Sequence, residues 1–289
     1  MALRTLRFAK LEGSGNDFLV VEDPSGVEQL DTEFVQRICD RHLGIGADGL
    51  VAYTGLPDGE AHLAMRLFNA DGSEAEISGN GLRCLAARIF HRGLHAATEL
   101  RVQTRAGIKR VQKISASGTG FTFEVEMGLP ILDPAKIPFR LAPPAESLIG
   151  CRLQVGEEIY SVTVTSMGNP HCSIFLDSFE GLDWKGVGRR IEVHPAFPEK
   201  TNVEFIRIVN TGTIEVLFWE RGVGTTLSSG TGACAATVAS VLNGFVSRKV
   251  RVMTRGGELE IEWGSDGILK LVGPVKMICE GEYLFDDGC

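Results

Sequence analysis

The 289-residue chain has no C-x-x-C pair, no run of basic residues, no apolar stretch long enough to cross a bilayer and no P-loop lysine pattern. Each absence removes a class of protein. The seven cysteines (Cys39, Cys84, Cys151, Cys172, Cys234, Cys279 and Cys289) are odd in number and scattered. That argues against a disulfide framework or a zinc site and for a reducing cytoplasm. A net charge of −8 and a pI near 5.4 offer nothing for nucleic-acid phosphates to condense on, so no nucleic-acid partner is expected. No membrane partner is expected either. The N-terminal run M-A-L-R-T-L-R-F-A-K-L is broken by charges and lacks a signal-peptide core. Without a P-loop lysine, a nucleotide site ranks below the other readings. What is present is an ordinary soluble composition, 44% hydrophobic and 23% charged, with 35 glycines gathered beside polar motifs. Such glycines suggest close backbone approach to something small.

The stretch Phe68 to Cys84, F-N-A-D-G-S-E-A-E-I-S-G-N-G-L-R-C, anchors the reading. A β-type run, His62 to Phe68, enters an Asn-Ala-Asp-Gly turn, and Ser78-Gly79-Asn80-Gly81 then opens an apolar helical segment ending near Gly93. A helix N-terminus with small polar residues and free N–H donors is an anion site. About 150 residues on, Trp219-Glu220-Arg221-Gly222 and Ser229-Gly230-Thr231-Gly232 repeat the arrangement. Gly15-Asn16 likewise matches Gly168-Asn169, and Thr104-Arg105-Ala106-Gly107 matches Thr254-Arg255-Gly256-Gly257. Four matches in one order at nearly one offset indicate a duplicated domain.

Strands are expected at 6–11, 18–22, 50–53, 62–68, 99–104, 108–114 and 121–127 in the first copy. In the second they are expected at 159–165, 173–176, 203–209, 214–219, 250–253, 259–263 and 268–272. Helices are expected from an Asp31 N-cap to about His42, over Leu82–Ile89, over Trp184–Ile191 and over Ala233–Leu242. Two of them are apolar all round, so each should be buried and wrapped by its own sheet. The fold class is therefore α+β or mixed α/β, with two pseudo-symmetric duplicated domains, each a mainly antiparallel sheet curled around a central helix. The Pro-bearing segment Gly128–Pro134 reads as the linker. The domains are placed at 1–127 plus 274–289 and at 128–273, with the active site expected in the cleft between them. Ser78 and Ser229 would then lie on opposite faces of one anionic ligand. Singly, each serine is a plain N-cap; as a repeated pair with matching Gly-x-Gly flanks, they point to a site. Glu220-Arg221 would by itself be a solvated surface pair, and His171 a structural histidine. Cys84 and Cys234, within apolar helices, read as inert packing.

Several motifs together resemble the diaminopimelate epimerase family. They are Gly15-Asn16-Asp17-Phe18, Gly44-Ile45-Gly46-Ala47-Asp48-Gly49, Phe68-Asn69-Ala70-Asp71-Gly72-Ser73, Gly79-Asn80-Gly81-Leu82-Arg83-Cys84, Gly168-Asn169-Pro170-His171, Thr201-Asn202-Val203-Glu204-Phe205, Trp219-Glu220-Arg221-Gly222 and Gly230-Thr231-Gly232-Ala233. The likeness runs the length of the chain. It implies an isomerase of lysine and cell-wall precursor synthesis that interconverts LL- and meso-diaminopimelate by two-base proton transfer at the α-carbon. It also implies no cofactor (pyridoxal phosphate included), no metal, a small-molecule amino-acid substrate and a homodimer. Carried over by residue, Asn16, Asn69, Asn169, Asn202, Glu220 and Arg221 would hold the distal amino-acid end of the substrate. Backbone donors at Gly79-Asn80 and Gly230-Thr231 would hold the carboxylate beside the reacting carbon, and His171 and Glu220 would tune the acid/base pair.

The departure is at the centre, where the resemblance implies a pair of cysteines and this chain has Ser78 and Ser229. Thr225 and Ser228 also depart, from a Glu and from a small apolar residue. A thiol has a pKa of ~8.5, whereas an alkanol hydroxyl lies near the ~15.7 of water. The gap of about 7 units is on the order of 10 kcal/mol. Neither motif has an adjacent His or Lys to activate its serine. A binding site with weakened chemistry is expected, the alternatives being a related isomerase or dehydratase needing one base, or a catalytically silent amino-acid binder.

Overall fold

The computed structural model describes residues 3–23, 30–57, 59–141 and 147–286. The chain divides into two compact units, Met1–Val125 with Gly273–Cys289, and Glu126–Val272.

In unit 1 the elements run β1 (Leu3–Gly13), β2 (Asn16–Glu22), α1 (Thr32–Cys39), β3 (Gly49–Gly55), β4 (Leu63–Asn69), β5 (Glu74–Ala75), α2 (Gly79–His91), β6 (Glu99–Thr104), β7 (Gly107–Ser117) and β8 (Gly120–Gly128). The Asp31 carboxylate caps α1 through Phe34 N, turning Phe34, Val35 and Ile38 onto the core. The helix stops at Cys39 instead of running to His42. The Asp40 side chain accepts the N–H groups of His42 and Leu43, a local alternative that competes with the helical bonds. The stretch Gly44–Gly49 spells G-x-G-x-x-G, yet it leads from a helix into β3. The dinucleotide fingerprint requires the opposite order, strand to helix.

Unit 2 continues with β9 (Cys151–Val155), β10 (Glu158–Ser166), β11 (Pro170–Phe175), α3 (Trp184–Glu192), β12 (Asn202–Asn210), β13 (Thr213–Glu220), β14 (Gly224–Thr226), α4 (Gly230–Leu242), β15 (Lys249–Thr254), β16 (Gly257–Trp263) and β17 (Leu269–Asp286). β9 was not anticipated, although Cys151, Leu153 and Val155 alternate inward as a half-buried strand should. The length of β17 was not anticipated either, because Gly273-Pro274 reads as a stop. From Gly273 the strand belongs to unit 1, where it pairs antiparallel with β1 from Glu12↔Lys276 to Leu3↔Asp286.

The duplication holds element by element. The order β1–β2–α1–β3–β4–β5–α2–β6–β7–β8 recurs as β10–β11–α3–β12–β13–β14–α4–β15–β16–β17, with the same pairings in both copies. The pairing is mainly antiparallel, as expected, but among the described residues β2–β3, β4–β6, β11–β12 and β13–β15 are parallel. Each encloses a helix, which a parallel return needs. In unit 1, α2 packs on β1, β2, β3 and β7; in unit 2, α4 packs on β10 to β13, β15 and β16. Residues 79–87 of α2 and 232–240 of α4 are buried, so each sheet wraps its own central helix. Close approach at the start of α4 depends on Gly232, where a Cβ would sit 2.8 Å from the Phe218 ring of β13. Among the described residues no helix is long and apolar enough to cross a membrane.

Candidate active site

In each unit a serine stands at the N-cap of the buried helix, with nearly the same backbone. Ser78 has φ −135 and ψ 124, and Ser229 has φ −136 and ψ 126. The Ser78 Oγ accepts from Gly81 N at 3.1 Å and the Ser229 Oγ accepts from Gly232 N at 3.2 Å. Gly79-Asn80 and Gly230-Thr231 occupy the first two helical positions. Their N–H groups precede the first intrahelical bonds, Leu82 N to Ser78 O and Ala233 N to Ser229 O, and stand at the positive end of the helix dipole.

Around Ser78, unit 1 assembles amides. Arg83, fully buried one turn into α2, donates to the Asn80 Oδ1 at 2.9 Å. Asn80 in turn donates to the Asn16 Oδ1 at 3.2 Å, and Asn16 donates to the Asp48 Oδ2 at 2.7 Å. Beyond them, Arg41 bridges the Asp17 and Asp48 carboxylates at 2.7 Å each, and Lys10 reaches Asp17 at 3.0 Å. Burial would raise the Asp17 carboxyl, but the Arg41 and Lys10 cations bonded to it bring it down to about 2. Asn69, at the end of β4, donates to the Ser73 Oγ at 2.9 Å.

Around Ser229, unit 2 assembles charge. Glu220, at the end of β13, occupies the position of Asn69. Its carboxyl is pushed up by burial, against the lowering influence of the neighbouring Thr226 and Ser229 hydroxyls and the attraction of His171. His171 on β11 is fully buried and held at both ring nitrogens, by the Glu204 Oε1 at 2.6 Å and the Asn169 Oδ1 at 3.0 Å. Asn202 bonds Pro170 O through its Nδ2 and accepts Arg221 N on its Oδ1, each at 3.0 Å, so it fixes the loop after β13. Buried Glu192 fixes the same loop, accepting from Trp219 Nε1 at 2.7 Å and from Gly222 N at 3.0 Å. Arg221 is exposed, and its guanidinium donates to Glu199 O at 3.1 Å.

The structure thus brings together Ser78, Gly79, Asn80 and Asn16, with Asn69 at the end of β4 bonded to Ser73, and, separately, Ser229, Gly230, Thr231, Glu220, His171, Asn169 and Asn202. Sequence reasoning missed Asp48, Arg83, Glu192 and Glu204 as partners. For Glu204 a signal existed: it lies two residues from Asn202 on a strand, hence on the same face. That this face meets His171 depends on the parallel register of β11 and β12. Cys84 and Cys234 are buried inside α2 and α4, and burial pushes the Cys84 thiol up, so neither is poised as a base. Among the described residues no cluster of His, Cys, Asp and Glu is arranged to hold a metal ion.

Known proteins are similar to this chain over nearly its whole length. The family model described as diaminopimelate epimerase matches residues 8–132 and 163–278. A diaminopimelate epimerase of Desulforudis audaxviator is 44% identical over 288 residues, covering 96% of this chain and 99% of the relative. That of Pelotomaculum thermopropionicum is 42% identical over 282 residues, with the same two coverages. Among solved structures, a hydroxyproline epimerase from Agrobacterium vitis superposes with a TM-score of 0.71 at 14% identity, covering 99% of this chain and 94% of that one, a likeness of fold. With two helix N-termini built alike and relatives alike from end to end, the chain belongs to the diaminopimelate epimerase family of isomerases.

Proposed function

We propose that the protein binds diaminopimelate and interconverts its LL- and meso-forms without a cofactor, slowly, with Ser78 and Ser229 in the two acid/base positions. The observation that carries this reading is the matched pair of serine-capped helix N-termini, one in each unit, each with unspent N–H donors. Inversion by two bases requires one such group on each face of the reacting carbon. Gly79-Asn80 and Gly230-Thr231 then hold the α-carboxylate, a use suited to helix N-termini. Asn16, Asn69, Asn169, Asn202, Glu220 and Arg221 hold the distal amino acid, and His171 and Glu220 set the charge around Ser229. The resemblance behind this assignment also suggests a homodimer, which light scattering would test, and six free described cysteines suit a reducing cytoplasm.

The decisive experiment is the double variant Ser78→Cys/Ser229→Cys. If half of the ~10 kcal/mol difference between hydroxyl and thiol is felt in the transition state, epimerisation should rise by on the order of 10³-fold or more. A double variant that folds and still fails to epimerise diaminopimelate would sink the proposal. Tight calorimetric binding by the parent without turnover would instead favour a silent binder.

A further inference from the structure

We infer that Glu192 is a positioning residue for Arg221. Its buried carboxylate staples both ends of the Glu220-Arg221 dipeptide and presets the guanidinium for the distal carboxylate of diaminopimelate. The inference rests on the substrate proposed above. Glu192 is the last residue of α3 and is buried. Its Oε2 accepts from Trp219 Nε1 at 2.7 Å and its Oε1 from Gly222 N at 3.0 Å. Trp219 immediately precedes the dipeptide and Gly222 immediately follows it, so one group fixes both neighbours. Hydrogen bonds to an ionised acceptor are roughly twice as strong as neutral ones.

The rest of the frame converges on the same arginine. Arg221 N donates to the Asn202 Oδ1 at 3.0 Å, and Arg221 Nη1 donates to Glu199 O at 3.1 Å. The segment that offers Glu199 O is itself tied to Glu192. Thr201 N donates to Glu192 O at 3.2 Å, and the Lys200 ammonium stands 3.9 Å from the Glu192 Oε1. Lys200 holds this turn at φ 60, a left-handed conformation that a residue with a side chain keeps only when its surroundings impose it. The Trp219 ring is wedged against Gly188 of α3, where a Cβ would sit 2.8 Å from it. Among the described residues, the first copy has neither the arginine nor the staple. Ala70 takes the place of Arg221, and its loop is fastened by Ala70 N to Asp48 O at 3.1 Å and by Gln36 Nε2 to Asp71 O at 2.7 Å. A free arginine loses rotamer freedom on binding, whereas one already held loses less, which is the gain from preorganisation. The exposed Arg221 guanidinium has N–H donors to spare beyond its bond to Glu199 O, and its planar fork matches a carboxylate.

The test is a double-mutant cycle on meso-diaminopimelate binding, read by calorimetry with the parent, Glu192→Gln, Arg221→Ala and the two combined. An amide cannot accept at both ends as the carboxylate does, so Glu192→Gln should weaken binding by on the order of 10-fold. Glu192→Asp should recover part of the loss. In the Arg221→Ala background Glu192→Gln should cost nothing further, because its effect passes through the arginine. Where the parent binds too weakly for calorimetry, the same cycle is read on the Ser78→Cys/Ser229→Cys variant. There Glu192→Gln should raise KM by a similar factor and leave kcat nearly unchanged, since Arg221 holds a part of the substrate that does not react. If Glu192→Gln fails to fold, Trp219→Phe removes one arm of the staple, and its smaller loss should likewise vanish without Arg221. Binding indifferent to the loss of the staple, or losses that add, overturns the inference and leaves the proposed reaction standing. No binding by the parent together with no epimerisation by the double Cys variant overturns the proposed substrate and the inference with it.

Discussion

Ser78 and Ser229 do the same local work and stand in different company. Both oxygens are tied to an N3 amide, the ordinary office of an N-cap, and capping is local enough to read from a Ser-Gly-x-Gly string. Their surroundings are not local. Glu220 becomes a high-pKa carboxyl only because β13, β14 and the start of α4 close around it, and Glu204 meets His171 only through strand register. Ser228 carries a cost at the residue scale. It is buried, and its hydroxyl finds no hydrogen-bond partner. An unsatisfied buried hydroxyl costs about 1–3 kcal/mol. Ser228→Ala should therefore stabilise the protein, raising Tm by about 2–4 °C per kcal/mol recovered for a chain of this size. A thermal scan showing no gain or a loss would contradict that.

Among the elements, the central helices and most strands were legible because burial imposes a pattern on the residues themselves. The ends of elements were less so. α1 stops early because the Asp40 side chain competes for two backbone donors, and β17 runs through Gly273-Pro274 because β1 offers it a partner. The network of Lys10, Asp17, Arg41 and Asp48 ties β1, β2 and the segment between α1 and β3, and none of it is periodic in sequence. Asp17, held at about 2, contributes stability that is present above its unfolded pKa of ~3.9 and lost as pH falls through about 2. Asp17→Asn should destabilise the protein at pH 7, with the difference shrinking toward pH 2. Urea unfolding across that range measures it, and a difference independent of pH would refute the charge argument.

At the scale of the whole molecule, the thiols report the fold directly. Cys39, Cys84, Cys151, Cys172 and Cys234 are buried and Cys279 is exposed, while Cys289 lies outside the described residues. Burial pushes Cys39 up to about 12 and raises Cys84, Cys151 and Cys172 as well, and the reactive species is the thiolate. A thiol reagent at neutral pH should label Cys279 in the folded protein and the five buried cysteines only after denaturation, as peptide mapping would show. Early labelling of Cys84 or Cys234 would contradict the packing of the central helices. The duplication, the two buried helices and the serine caps follow from the amino-acid string, because repetition, hydrophobic periodicity and capping act over a few residues. The inequality between the two serines does not, because Glu220 and Asn69 differ in effect only once packing has set what surrounds each one.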